Sequence, residues 1–248
     1  MIKAFSEKFL INSFDAAPDG RAAPGALLRI MQECASRHAA QLGRGHQVLF
    51  EQNLMWVLTR LRLRFYSMPC WNDLITVKTW PSSAAGISFY REFIIEDRNG
   101  CPVLEADSAW STVNFKEGKV CRVNVFPEFT DCGGKFVFAE RPGRIRVPDG
   151  LEPGTEIQSR YFDLDMNNHV NNVRCFEFML EYFDRDFLMN KQIADMQINY
   201  IGQIAYGDKL KVYGKVLDEQ RFYLALYANE QNRPATVAEI KFKDCKEL

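Results

Sequence analysis

Apolar positions in "APGALLRIMQECASRHAAQLG" recur at helical spacing. Leu27, Met31, Cys34, Ala35, His38 and Leu42 share one side of a helix that opens on Pro24 and closes on Gly43. Downstream the period changes to two. Val57, Thr59, Leu61, Leu63 and Phe65 alternate with Leu58, Arg60, Arg62 and Arg64, and strand-like runs follow in "DLITVKTW", "ISFYREFIIED" and "VLEADSAWSTVNF". Turn signals separate them at "CWND", "SSAAG" and "DRNG". The pattern predicts one long helix and then antiparallel strands with one buried face and one wet face.

The same order then recurs. "TEIQSRYF" reads as a strand, a polar loop follows, and "NVRCFEFMLEYFDRDF" reads as one helix with an apolar stripe of Val173, Phe176, Met179, Leu180, Phe183 and Phe187. Four strands complete the set: "DMQINYIG", "KLKVYGKVL", "RFYLALYAN" and "TVAEIKFKD". In the second of these, Leu210, Val212 and Val216 are expected on one face, and Lys209, Lys211 and Lys215 on the other. The changeover falls in "AERPGRIRVPDG", rich in Pro, Gly and Arg. The expected organisation is an N-terminal unit over 1–138, a linker over 139–150 and a C-terminal unit over 151–248. Each unit is α+β, a helix against an antiparallel sheet, and two such units can pair into one continuous sheet. A long apolar space between helix and sheet follows from that layout.

Composition narrows the function classes. The chain has 248 residues, 47% of them hydrophobic and 25% charged, with a net charge of -1, which fits a folded soluble protein and gives no general reason to expect nucleic acid. The start "MIKAFSEKFLINSF" lacks the pattern of a secretion signal, and no stretch reaches the roughly 18 apolar residues of a membrane span, so a cytoplasmic setting without membrane insertion is expected. The seven cysteines are odd in number and form no CxxC pair, which predicts reduced, mostly packed thiols. His38, His46 and His169 are scattered, with no carboxylate at zinc spacing, and neither a GxSxG elbow nor a phosphate loop is present. No metal and no cofactor are therefore expected. His46 is expected in a Gly-flanked loop.

The segment that stands apart is "SRYFDLDMNNHVNNV", residues 159–173. Taken alone, its asparagines and aspartates fit a helix cap, with Asn171 or Asn172 bonding the first free N–H groups of the helix and Asp163 serving structure. Yet Asp165, Asn167 and His169 recur at i, i+2 and i+4, and an extended backbone would aim all three the same way, beside a helix N-terminus suited to a developing anion. An acid, an amide and a group titrating near neutrality are the parts that activation of a water requires.

"DLDMNNHVNNV" resembles the active-site segment of the acyl-ACP thioesterases, which release fatty acids from acyl carrier protein. "MWVLTRLRL", "PCWNDLITVKTW", "REFIIEDRNG" and "ADSAWSTVNF" resemble the family's N-terminal half in order and spacing. The resemblance covers nearly the whole chain. It implies an α+β tandem (double) hotdog, each half a long helix wrapped by a curved sheet, with the acyl chain held mainly by the N-terminal half and the chemistry in the C-terminal half. It places Asp165, Asn167 and His169 at the catalytic positions: Asp165 to orient or deprotonate water, Asn167 to hold water or substrate, His169 to polarise the thioester or relay a proton. Backbone amides at Asn168 and Val170 are the oxyanion candidates. The family commonly has a Glu, sometimes followed by Cys, in the strand after the active-site helix. "INYIGQIAYGD" has Gln203 and Ile204 there, which moves the catalytic burden onto Asp165 and leaves Gln203 a water-holding role. Met31, His38, Trp56 and Trp110 are acyl-pocket candidates. Acyl carrier protein, acidic, is the implied partner, and Arg141, Arg144 and Arg146 are candidates to dock it, although Arg sets like these and Arg60, Arg62 and Arg64 also suit a solvated surface. The alternatives are an acyl-CoA thioesterase and a noncatalytic acyl-binding protein. Sheet edges also allow a homodimer.

Overall fold

Pro24 in the first turn and Gly43 just past the last bound the first helix as the sequence suggests. α1 runs Pro24–Gln41, and Gly43 has φ +71°, a conformation open to glycine. The structure is a computed structural model that describes residues 2–130 and 132–245. It divides into two units, Met1–Pro142 and Gly143–Leu248, and the division falls inside the stretch 139–150.

In the first unit the strands are β1 (Phe5–Leu10), β2 (Leu54–Phe65), β3 (Leu74–Ala85), β4 (Ser88–Glu96), β5 (Pro102–Asn114) and the short β6 (Lys119–Val120). They pair antiparallel in the order β1-β3-β4-β5-β2, with β6 on β5. The stripe of α1, Leu27, Leu28, Met31, Cys34, Ala35 and His38, is buried. His46 begins a short helix, α2 (His46–Glu51), where a loop was expected; buried Leu49 anchors it to Phe89, Phe126 and Phe129. The alternation expected along β2 is broken by a bulge at Thr59, because Leu58 pairs with Trp110 while Arg60 pairs with the next residue, Ala109. The extra residue puts Leu58 among the buried side chains with Leu61, Leu63 and Phe65.

Residues 132–142 of this unit have no regular structure and are tied to one sheet face by side chains. Trp80 Nε1 donates to Lys135 O (2.8 Å), Val137 N donates to Glu92 Oε2 (3.1 Å), and Phe138 lies under the guanidinium groups of Arg62 and Arg64. Arg60 Nη1 donates to Pro142 O (3.3 Å). The arginines that could have formed a solvated face of β2 thus hold a strap.

The second unit contains β7 (Glu152–Gln158), α3 (Asn172–Leu180), α4 (Arg185–Asn190), β8 (Lys191–Tyr200), β9 (Lys209–Val216), β10 (Arg221–Ala228) and β11 (Thr236–Asp244). Its strand order is β8-β11-β10-β9-β7. The single helix expected over 172–187 is two: α3 ends at Leu180, and Asp184 caps α4 by accepting from Phe187 N (2.7 Å). Phe183 and Phe187 leave the stripe and stack at 4.5 Å, edge-on to Phe222 and Phe242. Tyr182, between the helices, lies where an added Cβ at Gly154 or Gly214 would overlap its ring. Val216, expected inward, is exposed at the end of β9, whereas Leu210 and Val212 are buried.

Candidate functional site

The segment of Asp165, Asn167 and His169 is built on a buried aspartate. Asp163 closes a 3-10 turn over Tyr161–Asp163; its Oδ2 accepts from Arg160 N (2.7 Å) and its Oδ1 from Arg174 Nε (2.9 Å), while its carbonyl accepts from Asn171 N (2.8 Å). Those bonds fix both ends of the stretch between them. Inside, Leu164 and Val170 form an antiparallel bridge, Asp165 N donates to His169 O (2.8 Å) and Asn168 N to Asp165 O (3.0 Å). Asn168 has φ +61°, which Asn tolerates better than most residues. Asp165 Oδ1 accepts from Asn167 N (2.8 Å), an Asx turn. Of the two cap candidates, Asn171 is the one that caps α3, its Oδ1 accepting from Val173 N (2.8 Å). Tyr200 donates its hydroxyl to the carbonyl of Asn172 (3.2 Å).

Two expectations are corrected by this geometry. The segment is a tight turn, so the common direction argued from an extended backbone does not apply to Asp165, Asn167 and His169. The oxyanion candidates are also committed: Asn168 N–H is spent on Asp165, and Val170 N–H donates to Ile204 O (2.8 Å). A donor held by a strong acceptor has nothing left for a developing anion. Among the described residues, by contrast, the backbone N–H and ring of His169 and the side-chain amide of Asn167 have no hydrogen-bond partner. The Val170 to Ile204 bond brings the segment of exposed Gln203 beside the turn, and that segment is itself held by Ser159 Oγ to Ala205 O (2.6 Å) and Ala205 N to Asp208 Oδ2 (2.9 Å). The thiol of Cys175 in α3 is pushed up to about 12 by burial, so it is no thiolate nucleophile.

The first unit contains the same turn with different side chains. Residues 12–24 and 160–172 correspond without a gap. Asp15 Oδ2 accepts from Asn12 N (3.0 Å) as Asp163 does from Arg160; Ala16 bridges Ala22; Ala17 N donates to Arg21 O (2.7 Å), Gly20 N to Ala17 O (2.9 Å) and Ala22 N to Pro69 O (2.7 Å). Gly20 has φ +79° where Asn168 has +61°. Asp73 Oδ2 accepts from Cys70 N (2.7 Å) as Asp208 accepts from Ala205. In this copy Ala17, Asp19, Arg21 and Met68 stand where Asp165, Asn167, His169 and Gln203 stand, and Arg21 Nε is bound to Asp19 Oδ2 (2.8 Å). What the two turns share is scaffold. Their differences isolate the side chains of Asn167, His169 and Gln203 as free of scaffold duty, while Asp165 also holds the Asx turn. The sequence carried this signal in the paired "FD" at 14–15 and 162–163.

The acyl-pocket candidates separate. Met31 and Trp110 line one crevice in the first unit with Leu28, Gln32, Leu58, Leu61, Phe93 and Ser108, and its cavity volume of about 10 Å³ holds no more than a water. Trp56 belongs instead to the cluster of Phe89, Phe126 and Phe129, its Nε1 donating to Arg44 O (3.0 Å). His38 is buried against Arg91 and stacks on Phe5. Of the docking candidates, Arg141 is withdrawn. Its guanidinium binds Glu92 Oε1 (2.5 Å), Asp107 Oδ2 (3.3 Å), Ser82 Oγ (3.0 Å) and Ser83 Oγ (2.8 Å) and stacks on Phe136, so it neutralises two buried acids rather than facing a partner. Arg144 and Arg146 are exposed. Among the described residues no cluster of His, Cys, Asp or Glu is placed to hold a metal, and no helix is long and apolar enough to cross a membrane.

Comparison with known proteins places these features. Residues 2–131 match the family model of the acyl-ACP thioesterase N-terminal domain, and residues 151–244 that of the C-terminal domain. The palmitoyl-acyl carrier protein thioesterase of Arabidopsis thaliana is 27% identical over 216 residues, 79% of this chain and 51% of its own length. An acyl-[acyl-carrier-protein] hydrolase of Cuphea viscosissima is 24% identical over 210 residues, with the same coverage. The chain spans about half the length of the curated relatives it matches. The crystal structure of an acyl-ACP thioesterase from Bacteroides thetaiotaomicron superposes with a TM-score of 0.88 at 25% identity, covering 97% of this chain and 98% of that one. The 12:0-ACP thioesterase of Umbellularia californica shares the fold, with a TM-score of 0.82 at 20% identity and 98% coverage of both chains.

Proposed function

The chain belongs to the acyl-ACP thioesterase family, an α+β tandem hotdog, and from that membership we propose that it hydrolyses the thioester between a fatty acyl group and acyl carrier protein, releasing free fatty acid in fatty acid biosynthesis. A cytoplasmic setting and docking of the acidic carrier on Arg144 and Arg146 are part of the same reading. The observation that carries it is the turn at 163–171, whose backbone bonds hold its shape while, among the described residues, the N–H and ring of His169 and the side-chain amide of Asn167 have no hydrogen-bond partner.

In this mechanism Asp165 takes a proton from water as the water oxygen adds to the thioester carbonyl carbon. Asn167 Nδ2 and the backbone N–H of His169 donate to the resulting oxyanion, replacing the committed amides of Asn168 and Val170. The tetrahedral intermediate collapses with cleavage of the C–S bond, and the proton passes through the His169 ring to the departing phosphopantetheine thiolate. The products are a fatty acid and the carrier thiol. Gln203 holds the attacking water by hydrogen bonds, since an amide cannot act as its base.

The test is steady-state hydrolysis of one acyl group carried on ACP and on CoA, extended across ACP-linked chain lengths with identification of the acids released. A higher kcat/KM on ACP is expected; a higher value on CoA makes the protein an acyl-CoA thioesterase. Gln203 in place of an acid favours one second reading, a noncatalytic acyl-binding protein. Measurable acyl binding with no hydrolysis of either thioester would establish that reading instead.

A further inference from the structure

The two turns differ in what ties them to the helix that follows. In the first unit Asp15 Oδ2 accepts from Asn12 N (3.0 Å) and from Asn12 Nδ2 (3.2 Å), both inside its own loop. In the second, Asp163 Oδ1 accepts from Nε of Arg174 in the first turn of α3 (2.9 Å), so the carboxylate joins loop to helix. The guanidinium is held in turn by Glu177 Oε2 and lies 4.9 Å from the ring of Phe178. Carrying the correspondence of 12–24 with 160–172 two places further puts Ala26 where Arg174 stands. Residues 65–69 match 200–204 in the same way, because Tyr66 N donates to Val103 O (2.9 Å) as Ile201 N does to Ala235 O (2.8 Å). Phe65 therefore stands where Tyr200 donates its hydroxyl to Asn172 O, and Ala23 where Asn171 caps α3.

Polar ties from Asn171, Arg174 and Tyr200 thus converge on the start of α3, immediately after His169, at positions where the first unit has alanine or phenylalanine. Yet α1 begins at Pro24 and the first turn keeps the same backbone bonds. The turn and the helix start therefore form without these ties, and folding alone does not account for them. What the first unit lacks is the set Asp165, Asn167, His169 and Gln203. Backbone bonds fix the path of a turn, but a reacting side chain must be held to a fraction of an ångström, which takes support from the residues behind it. We propose that Arg174 and Tyr200 are positioning residues for His169 and Asn167: they lock the start of α3 against the turn and so set where those side chains stand. This rests on the proposed thioesterase reading and adds residues that touch neither water nor thioester. Burial holds the Tyr200 phenol above its ordinary range, so it remains a hydrogen-bond donor around neutrality.

The experiment installs the first unit's residues in the second, as Arg174→Ala and Tyr200→Phe, beside Arg174→Lys and the double variant. On acyl-ACP each single variant is expected to lose about tenfold in kcat at a KM within about twofold of wild type, with Tm lowered by no more than about 4 °C. Arg174→Lys should recover most of the loss, since an ammonium still bonds Asp163. The double variant should lose less than the product of the singles, because both ties hold one helix start. Unchanged kcat in Arg174→Ala and Tyr200→Phe overturns the proposal, and so does a loss that only tracks the unfolded fraction. A second readout is independent of turnover. The chain has three histidines, so the ring signal of His169 in a carbon–proton NMR spectrum can be assigned with His169→Gln. It should shift or broaden in Arg174→Ala and Tyr200→Phe while the signals of His38 and His46 stay in place. A His169 signal unmoved in both variants overturns the proposal whether or not thioesters are hydrolysed. A moved signal in a protein that hydrolyses neither acyl-ACP nor acyl-CoA supports the positioning and overturns the thioesterase reading alone.

Discussion

Asp165 holds the Asx turn and is the proposed base, and the choice of substitution separates the two roles. In Asp165→Asn the side-chain oxygen still accepts from Asn167 N, so the Asx turn survives and only the basic carboxylate is lost. A fall of about 100-fold or more in kcat at unchanged Tm is expected; retained turnover would remove Asp165 from the role of base. Asn168 gives the complementary case. With φ +61° it should accept Gly, as Gly20 stands at the matching place, while Asn168→Val should cost about 1–2 kcal/mol in urea denaturation from left-handed strain. Equal stability of the two variants would contradict the account of the turn. The residue types Asp165, Asn167 and His169 were legible in the sequence, because chemistry needs those groups. Which N–H groups were already spent was not, since Val170 is bonded to Ile204, a partner 34 residues away.

Among the elements, the strap over 132–142 depends on two buried acids facing each other across β4 and β5. Glu92 and Asp107 are paired in register, both fully buried, and share the guanidinium of Arg141; among the described residues Asp107 Oδ1 has no partner. Arg141→Met removes the guanidinium bonded to both buried carboxylates and should cost about 3–5 kcal/mol by urea denaturation. Burial first, then Glu92, push Asp107 up to about 7, against the opposing pull of Arg141 and Arg62. A folded-state value above the ordinary 3.8 means that the folded protein binds the proton more tightly than the unfolded chain. The stabilisation from Asp107 is thus full below about pH 4 and is lost as pH rises through about 7. The Tm difference between wild type and Asp107→Asn should therefore move against the wild type from pH 5 to pH 8; a constant difference would exclude proton uptake at Asp107. Sequence periodicity located the helices and strands that bury long stripes. It missed the bulge at Thr59 and the break between α3 and α4, because both are set by what a strand or ring packs against.

Over the whole molecule, two units repeat one scaffold and only one carries the polar side chains. Arg21→His removes the partner of Asp19 in the first copy and should lower stability by about 1–3 kcal/mol, yet leave kcat/KM on acyl-ACP within twofold. A large loss of activity at intact fold would give the first turn a part in the reaction. By itself the sequence determined the repeated order of helix and strands, the family, and the residue types offered for chemistry. Hydrophobic period and motif are local properties, written in neighbours along the chain. Tertiary structure alone decided that Arg141 neutralises buried acids, that Trp56 and His38 lie apart from the crevice of Met31 and Trp110, and that Arg91 is buried against His38 and Thr79. The physical reason is that burial, pairing and desolvation belong to groups brought together from distant parts of the chain, and an arginine reads the same in sequence whether it meets water, a carboxylate or neither.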